Sequence, residues 1–323
     1  MNIHINTNSK QFYFLKHWAV LIVSLFISIN SFGWAELGHQ VTAEIAEQIL
    51  SQDAKTMSAI RSIVGLEPLA IGAAWPDIVK SDARFNDFSP YHYMTIYRDS
   101  KKSVSKNALT VLNRYPAILT DSRYSRESKM IAFRFILHVV GDIHQPLHVG
   151  NEFDYGGNAC RVKWQPNAKS SGQETNLHSV WDEELVNNMA TKMRSESKIN
   201  YKFFGYKEVS NILMAKYKSL IASSSQDVDV DAWVADSQRL RETEVYPDKL
   251  ADDARPYCSR GGHVSNVPVL DAQYINAKRD LVEKRLVLGG IHLANLLRKV
   301  FNRSTPTSPT ESDIIAPLII SND

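Results

Sequence analysis

Apolar residues recur at helical spacing along most of the chain. Val41, Ile45 and Ile49 share one face of a segment running from Thr42 to Leu50. The same period runs through residues 107–118, 126–145, 176–190, 206–221, 228–245 and 269–300. The last of these carries Leu286, Leu293, Leu296 and Leu297 and reads as a core helix. The Gly289-Gly290 pair inside it marks a place where another helix packs close. Strand signals are few. Cys160-Arg-Val-Lys-Trp164 alternates and follows the turn sequence Tyr155-Gly-Gly-Asn158, which predicts a small hairpin. The pattern holds neither a Gly/Ser or Pro linker in the middle nor an internal repeat. The expected class is mainly α, a single-domain helical bundle with a small β-hairpin.

The two ends break the pattern. Lys10, Lys16 and His17 precede the apolar run Trp18–Ile29, and Ser31 and Gly33 are small residues placed for cleavage before Trp34. Residues 1–33 therefore read as a signal peptide, and the mature chain is expected in the secreted or periplasmic space. A retained N-terminal anchor would share much of this pattern. The run is short for a membrane span, and no later apolar stretch is longer, so no stable membrane association is expected. Residues 34–303 form the expected domain. Residues 304–323 begin with Ser304-Thr-Pro-Thr-Ser-Pro-Thr310, which has linker composition, and read as a flexible tail.

Charge then removes one class of function. The whole chain has 37 Lys+Arg against 35 Asp+Glu. The signal carries Lys10 and Lys16 and no acid, so the mature chain is neutral. Bulk charge cannot gather an anionic substrate, which must be attracted locally by a metal or a patch. The two cysteines, Cys160 and Cys258, would be expected to bond in an exported protein, with two free buried thiols as the alternative. Neither has a partner at zinc-ligand spacing.

Candidate chemistry concentrates in His138-Val-Val-Gly-Asp-Ile-His-Gln-Pro-Leu-His148. The preceding Met130–Leu137 is apolar enough for a buried helix. His138 and Asp142, four apart, then stack on one face of it. Pro146 should end the helix, and His148 would return from the exit turn to the same side. A His–Asp hydrogen bond plugging a core helix would explain this stretch by itself. A metal site would explain it too, since imidazole nitrogen and carboxylate oxygen are zinc ligands. The rest of the chain favours the metal. Asn176-Leu-His-Ser-Val-Trp-Asp182 repeats the spacing with His178 and Asp182. Trp34-Ala-Glu-Leu-Gly-His39 opens the mature chain, Trp75-Pro-Asp77 reads as a loop, and His92 lies in Tyr91-His-Tyr93. Paired helices with inward ligands are how helical bundles build multi-metal sites.

Taken in order, these motifs, with Asp154-Tyr-Gly-Gly-Asn158, resemble the S1/P1 nuclease family of zinc-dependent nucleases, related in site to zinc phospholipase C. The resemblance covers nearly all of the mature chain. It implies a fold of the phospholipase C/P1 nuclease type and three Zn²⁺ ions. The free amine and carbonyl of Trp34, with His39, would hold one ion, and Asp142 would bridge it to a second. Asp77, His92 and His138 would complete the second, and His148, His178 and Asp182 the third. A water bridging two ions would be acidified to hydroxide near neutral pH. The third ion would stabilise the scissile phosphate and the leaving 3′ oxygen, so no side-chain general acid is required. The implied reaction is hydrolysis of single-stranded DNA and RNA to 5′-nucleotides, with 3′-nucleotides as further substrates, by a monomer. Asp77 and Asp142 would be catalytic through the metals. Lys80 stands where family members often carry an arginine that reaches the phosphate. A lysine neutralises charge there but cannot clamp two oxygens, and a solvated surface lysine is the plain alternative.

Tyr91 and Tyr93 could stack bases or support His92 from the core, and Asn158 could orient a ligand or simply serve the turn. His144, His263 and His292 are not expected to be ligands. Competing functions are a zinc phospholipase C and a non-catalytic zinc-binding protein. The motif order favours the nuclease over the first, and an open bridged cluster gives no advantage to the second.

Overall fold

The computed structural model describes residues 34–99, 105–169, 171–197, 203–259 and 261–302. The stretches read as a signal (1–33) and as a tail (304–323) lie outside the described residues. The helices are α1 (Glu36–Leu50), α2 (Ala54–Val64), α3 (Leu69–Ile78), α4 (Ala108–Thr120), α5 (Arg126–His144), α6 (Leu177–Ser179), α7 (Leu185–Glu196), α8 (Tyr206–Lys216), α9 (Lys218–Ser223), α10 (Val230–Leu240) and α11 (Ala272–Asn302). The short strands are β1 (Met94–Ile96), β2 (Val149–Asn151), β3 (Arg161–Trp164), β4 (Gln173–Asn176) and β5 (Val269–Leu270). The mainly α class expected from the periodicity is the one observed.

Helix α5 is the axis. Ser125 caps it by accepting from the Ser128 amide. Its middle is buried on nearly every side, with Phe133, Phe135, Ile136, Leu137, Val139 and Val140 almost wholly covered. It packs against α4, α3, α1, α10 and α11. Burial of each such side chain is worth about 1.5–3 kcal/mol, so the position of this helix is strongly determined. The helix stops at His144. Gln145 adopts an extended conformation, and Pro146 opens the 3₁₀ turn Pro146–His148, the break and return read from the proline.

The expected hairpin forms between β3 and β4, antiparallel, with Val162 opposite Thr175. Strand β5 adds to β3 in parallel. A further parallel pair, Met94–Ile96 with Val149–Asn151, was not legible, because three-residue strands leave no periodicity. The bonded pair Cys160–Cys258 joins the segment before β3 to the loop after Tyr257, as expected for an exported chain.

Three expectations need correction. The periodicity gave no helix between residues 54 and 78, where α2 and α3 stand. Helix α3 is almost uniformly apolar, so it has no polar face to reveal a period. Trp75-Pro-Asp77 is therefore not a loop but the last turn of α3. Pro76 is tolerated there because the helix passes directly into the 3₁₀ turn Val79–Ser81, and little of the ladder is lost. Finally, the helical stretches read at 176–190 and 228–245 are not uniform α-helix, since π turns occupy Val180–Glu184 and Arg241–Val245.

Helices α1 and α11 meet where Gly289-Gly290 suggested a close approach. A Cβ on Gly290 would lie 2.5 Å from Ile45 Cγ2 and 3.0 Å from the Thr42 carbonyl oxygen. Neither a β-branched side chain nor a backbone carbonyl can retreat cheaply. Gly290→Ala is expected to destabilise the fold by about 1–3 kcal/mol, the usual cost of overpacking. Urea denaturation should show the midpoint falling, and an unchanged or raised midpoint would refute the close packing.

Candidate metal centre

Each candidate side chain is delivered by a different physical device. His138 and Asp142 lie one helical turn apart on α5, with His138 Nε2 3.2 Å from Asp142 Oδ2. His148 comes back from the 3₁₀ turn, and its Nδ1 is 3.6 Å from Asp142 Oδ1. His39 enters from α1, placing Nε2 3.3 Å from Asp142 Oδ1. His92 ends the 3₁₀ segment Ala83–His92, with Nδ1 3.5 Å from Asp142 Oδ2. Asp77, from the end of α3, brings Oδ1 to 3.5 Å from His138 Nε2 and 3.7 Å from His92 Nδ1. His178 and Asp182 stand 3.0 Å apart, held by α6 and the π turn. The ligand-type atoms fall into three sets: His39, His138 and Asp142; Asp77, His92 and His138; His148, His178 and Asp182. Asp142 thus turns one oxygen toward His39 and the other toward His138 and His92.

The residues fit a metal by a test independent of spacing. Buried polar atoms are normally hydrogen-bonded. Here both ring nitrogens of His39, both oxygens of Asp142, His148 Nε2 and Asp182 Oδ2 are buried without a hydrogen-bond partner. Apart from His39 Nδ1, which lies against Gly141, these atoms face one another across the centre. The outward nitrogens are satisfied. His138 Nδ1 donates to the Ala73 carbonyl at 2.7 Å, His148 Nδ1 to the His92 carbonyl at 2.7 Å, and His178 Nδ1 to the Gly156 carbonyl at 2.6 Å. A carbonyl only accepts, so each Nδ1 carries the proton and each Nε2 points its lone pair inward. Outer contacts of this kind orient metal-binding imidazoles.

Electrostatics gives the same picture. Burial, and then neighbouring His138, hold the His39 ring well below its ordinary pKa. Burial lowers His138 to about 4, against the pull of Asp77. Burial and then Asp77 push the Asp142 carboxyl well above its ordinary range. In the third set burial would raise Asp182, but His178 and His148 outweigh it and hold that carboxyl low. Around Asp142, neutral imidazoles beside a carboxyl that is costly to ionise suit a site that takes positive charge from elsewhere.

Lys80, on the 3₁₀ turn after α3, pairs with Asp77 Oδ1 at the edge of the centre, and both side chains are about a fifth exposed. Trp34 is fully buried. Its ring approaches Gly141, against which His39 also packs. The adjacent Ala35 amide donates to the Asp182 carbonyl at 3.0 Å. The eight His and Asp residues read as ligands, with Lys80 and Trp34 beside them, are therefore brought to one place.

The remaining residues sort plainly. Tyr91 is a core aromatic against Phe88 and Tyr115, and Tyr93 is half-buried. The Asn158 amide donates to the Tyr155 carbonyl, as a turn residue does. His144 and His292 bond to each other at 2.7 Å behind α5, and His263 is exposed. Sequence reasoning missed Gln145, buried between the third set and the 3₁₀ turn, and the Gly156 carbonyl. Gly156 has φ 61°, and a Cβ there would lie 2.3 Å from the Leu147 carbonyl oxygen. Only glycine fits, and the double glycine was the available signal.

A mainly α protein with a buried cluster of imidazoles and carboxylates shared between helices has residue groups that could hold metal ions, the arrangement by which helical folds can build such centres. The S1/P1 Nuclease family model matches residues 34–302, and the chain belongs to that family. Among curated proteins it is similar to Endonuclease 3 of Arabidopsis thaliana, 28% identical over 89% of this chain and 96% of the relative. It is 26% identical to Endonuclease 4 of the same plant over the same shares. Nuclease S1 of Aspergillus oryzae is 27% identical over 82% of this chain and 90% of the relative.

Orphaned buried polar atoms cost about 1–3 kcal/mol each, so the metal-free centre should be a weak point. Stripping the protein with a chelator should lower its thermal midpoint, and added Zn²⁺ should restore it. A midpoint indifferent to both treatments would mean that the cluster satisfies itself without a cation.

Proposed function

We propose that the chain is an exported zinc nuclease, cut before Trp34, that hydrolyses single-stranded DNA and RNA to 5′-nucleotides and removes phosphate from 3′-nucleotides. The observation that carries this reading is the set of inward, unpartnered donor atoms centred on Asp142. Trp34, through its free amine and carbonyl, and His39 would hold one ion. Asp77, His92 and His138 would hold a second, and His148, His178 and Asp182 a third. Asp142, with its two oxygens turned to different partners, would serve the first and second together. Bound zinc would supply a strong Lewis acid that acidifies water and binds phosphate.

The protein's own part is arrangement. The carbonyls of Ala73, His92 and Gly156 fix the tautomers, so the ligands need no reorganisation. Asp77 anchors the edge of the centre. Lys80 sits there as a cation for a phosphate oxygen, and would exchange its pairing with Asp77 for the substrate. Unpaired strands suit such a centre because their bases can splay away from the backbone.

Purified mature protein incubated with single-stranded DNA, duplex DNA, RNA, 3′-AMP and phosphatidylcholine tests the reading. Single strands and 3′-AMP should be hydrolysed, with duplex slower. Equal rates on duplex, or hydrolysis of phosphatidylcholine alone, would refute it and, in the second case, indicate a phospholipase.

A second test concerns the terminus. An α-amino group has a pKa of about 8 in water, and a bound cation lowers it. A chain with one extra residue before Trp34 should hold less zinc and lose most activity, whereas a chain beginning at Trp34 should have both. Equal zinc and equal activity in the two would remove the terminal ligand from the assignment.

A further inference from the structure

Gln145 does chemistry that none of the motifs required of it. It is fully buried at the junction of α5 and the 3₁₀ turn. Its Oε1 accepts from the Leu147 amide at 2.6 Å, and its Nε2 donates to Asp182 Oδ1 at 2.5 Å. A backbone amide can only donate, so the Leu147 contact decides which way the side-chain amide faces. The NH₂ group must then meet Asp182. That contact occupies Oδ1, which also lies 3.6 Å from His148 Nε2, and leaves Oδ2 turned to His178 Nε2 at 3.0 Å. The main chain of Gln145 ties the same point to the other sets. Its amide donates to the Asp142 carbonyl at 2.9 Å, and its carbonyl accepts from the His148 amide at 3.0 Å.

We infer that Gln145 is a positioning residue that selects the oxygen Asp182 offers and thereby sets the affinity of the third metal. The inference rests on the proposed role of His148, His178 and Asp182 as the third ligand set. Substitution of the side chain leaves the main-chain ties to Asp142 and His148 in place, so its effect should be confined to the third ion. Gln145→Glu is the sharp variant. It keeps the shape and the acceptor for Leu147, but replaces the donor facing Asp182 with a second carboxylate oxygen. A second carboxylate oxygen cannot donate, so Asp182 Oδ1 loses the contact that orients it and the carboxylate is free to rotate.

Zinc content after dialysis against graded concentrations of a weak chelator is the measurement. The wild-type chain should retain three ions. Gln145→Glu should release one about ten- to a hundred-fold more readily, the usual effect of losing an outer partner. Retention of the other two ions reports that the variant is folded. Gln145→Met, which neither donates to Asp182 nor accepts from Leu147, should release the same ion and covers the case in which the glutamate variant does not fold. If the variants hold all three ions as tightly as wild type, the inference fails even if their thermal midpoints fall. Loss of all zinc together also overturns it, since that is a collapse and not a local effect. A wild-type chain that never holds a third ion overturns the functional reading of that set, and is distinguished because the wild type itself then gives the deviant count.

Discussion

The structure depends on placing one carboxylate, Asp142, where water cannot reach it. Its side chain is wholly buried, neither oxygen has a hydrogen-bond partner, and four imidazoles surround it within 3.6 Å. Burying a charge without compensation is among the most costly events in folding. Either the carboxyl takes a proton or a cation enters. The surrounding rings do not supply the positive charge, because burial keeps His39, His92 and His138 neutral. The fold has therefore placed a carboxyl that must hold a proton or meet a cation at the end of α5, and the apolar packing of that helix keeps it there.

The other parts follow from where α5 stops. A helix continued past His144 would carry His148 onward along the axis. Pro146 breaks it, and the 3₁₀ turn returns His148 to Asp142. The same break leaves the Ile143 and His144 carbonyls without helical partners. Ser237 Oγ donates to the first and Arg285 Nε to the second. Arg285 is buried, also reaches Ser237 and Asp236, and adds positive charge at a helix C-terminus, where it is favourable. Helices α10 and α11 thus support the centre from behind without offering a ligand.

What the sequence made legible divides by the physics involved. Helical period placed α1, α4, α7, α8, α10 and α11, each with an apolar face, and α5 despite the burial of nearly all its sides, but it missed α2, although Met57, Ile60, Ile63 and Val64 are buried there. It failed at α3, which is apolar on all sides, and at β1 and β2, which are too short to show a period. The candidate site was legible because His–Asp pairs four apart stand out against an apolar background. The supports were not. Ala73 and Gly156 act through backbone carbonyls, and a carbonyl is present at every residue. Gln145 was hidden for a related reason, since Asp182, the partner its amide donates to, is set by the fold and not by spacing.

The π turn at Val180–Glu184 joins the two halves of the centre. His178 and Asp182 read as an ordinary i, i+4 pair, but π turns widen the helix and recur at functional sites. Here the Asp182 carbonyl accepts from the Ala35 amide. One residue thus addresses the third ligand set with its carboxylate and the start of α1 with its main chain. Ala35 has φ −55° and follows Trp34, which is fully buried and adjoins the Gly141 that supports His39. A residue buried this way cannot be displaced alone. Movement of Trp34 disturbs His39 on one side and Asp182 on the other. On the proposed assignment, cleavage before Trp34 would then do more than create one ligand, because seating of the new terminus and filling of the third set share a residue and should strengthen each other.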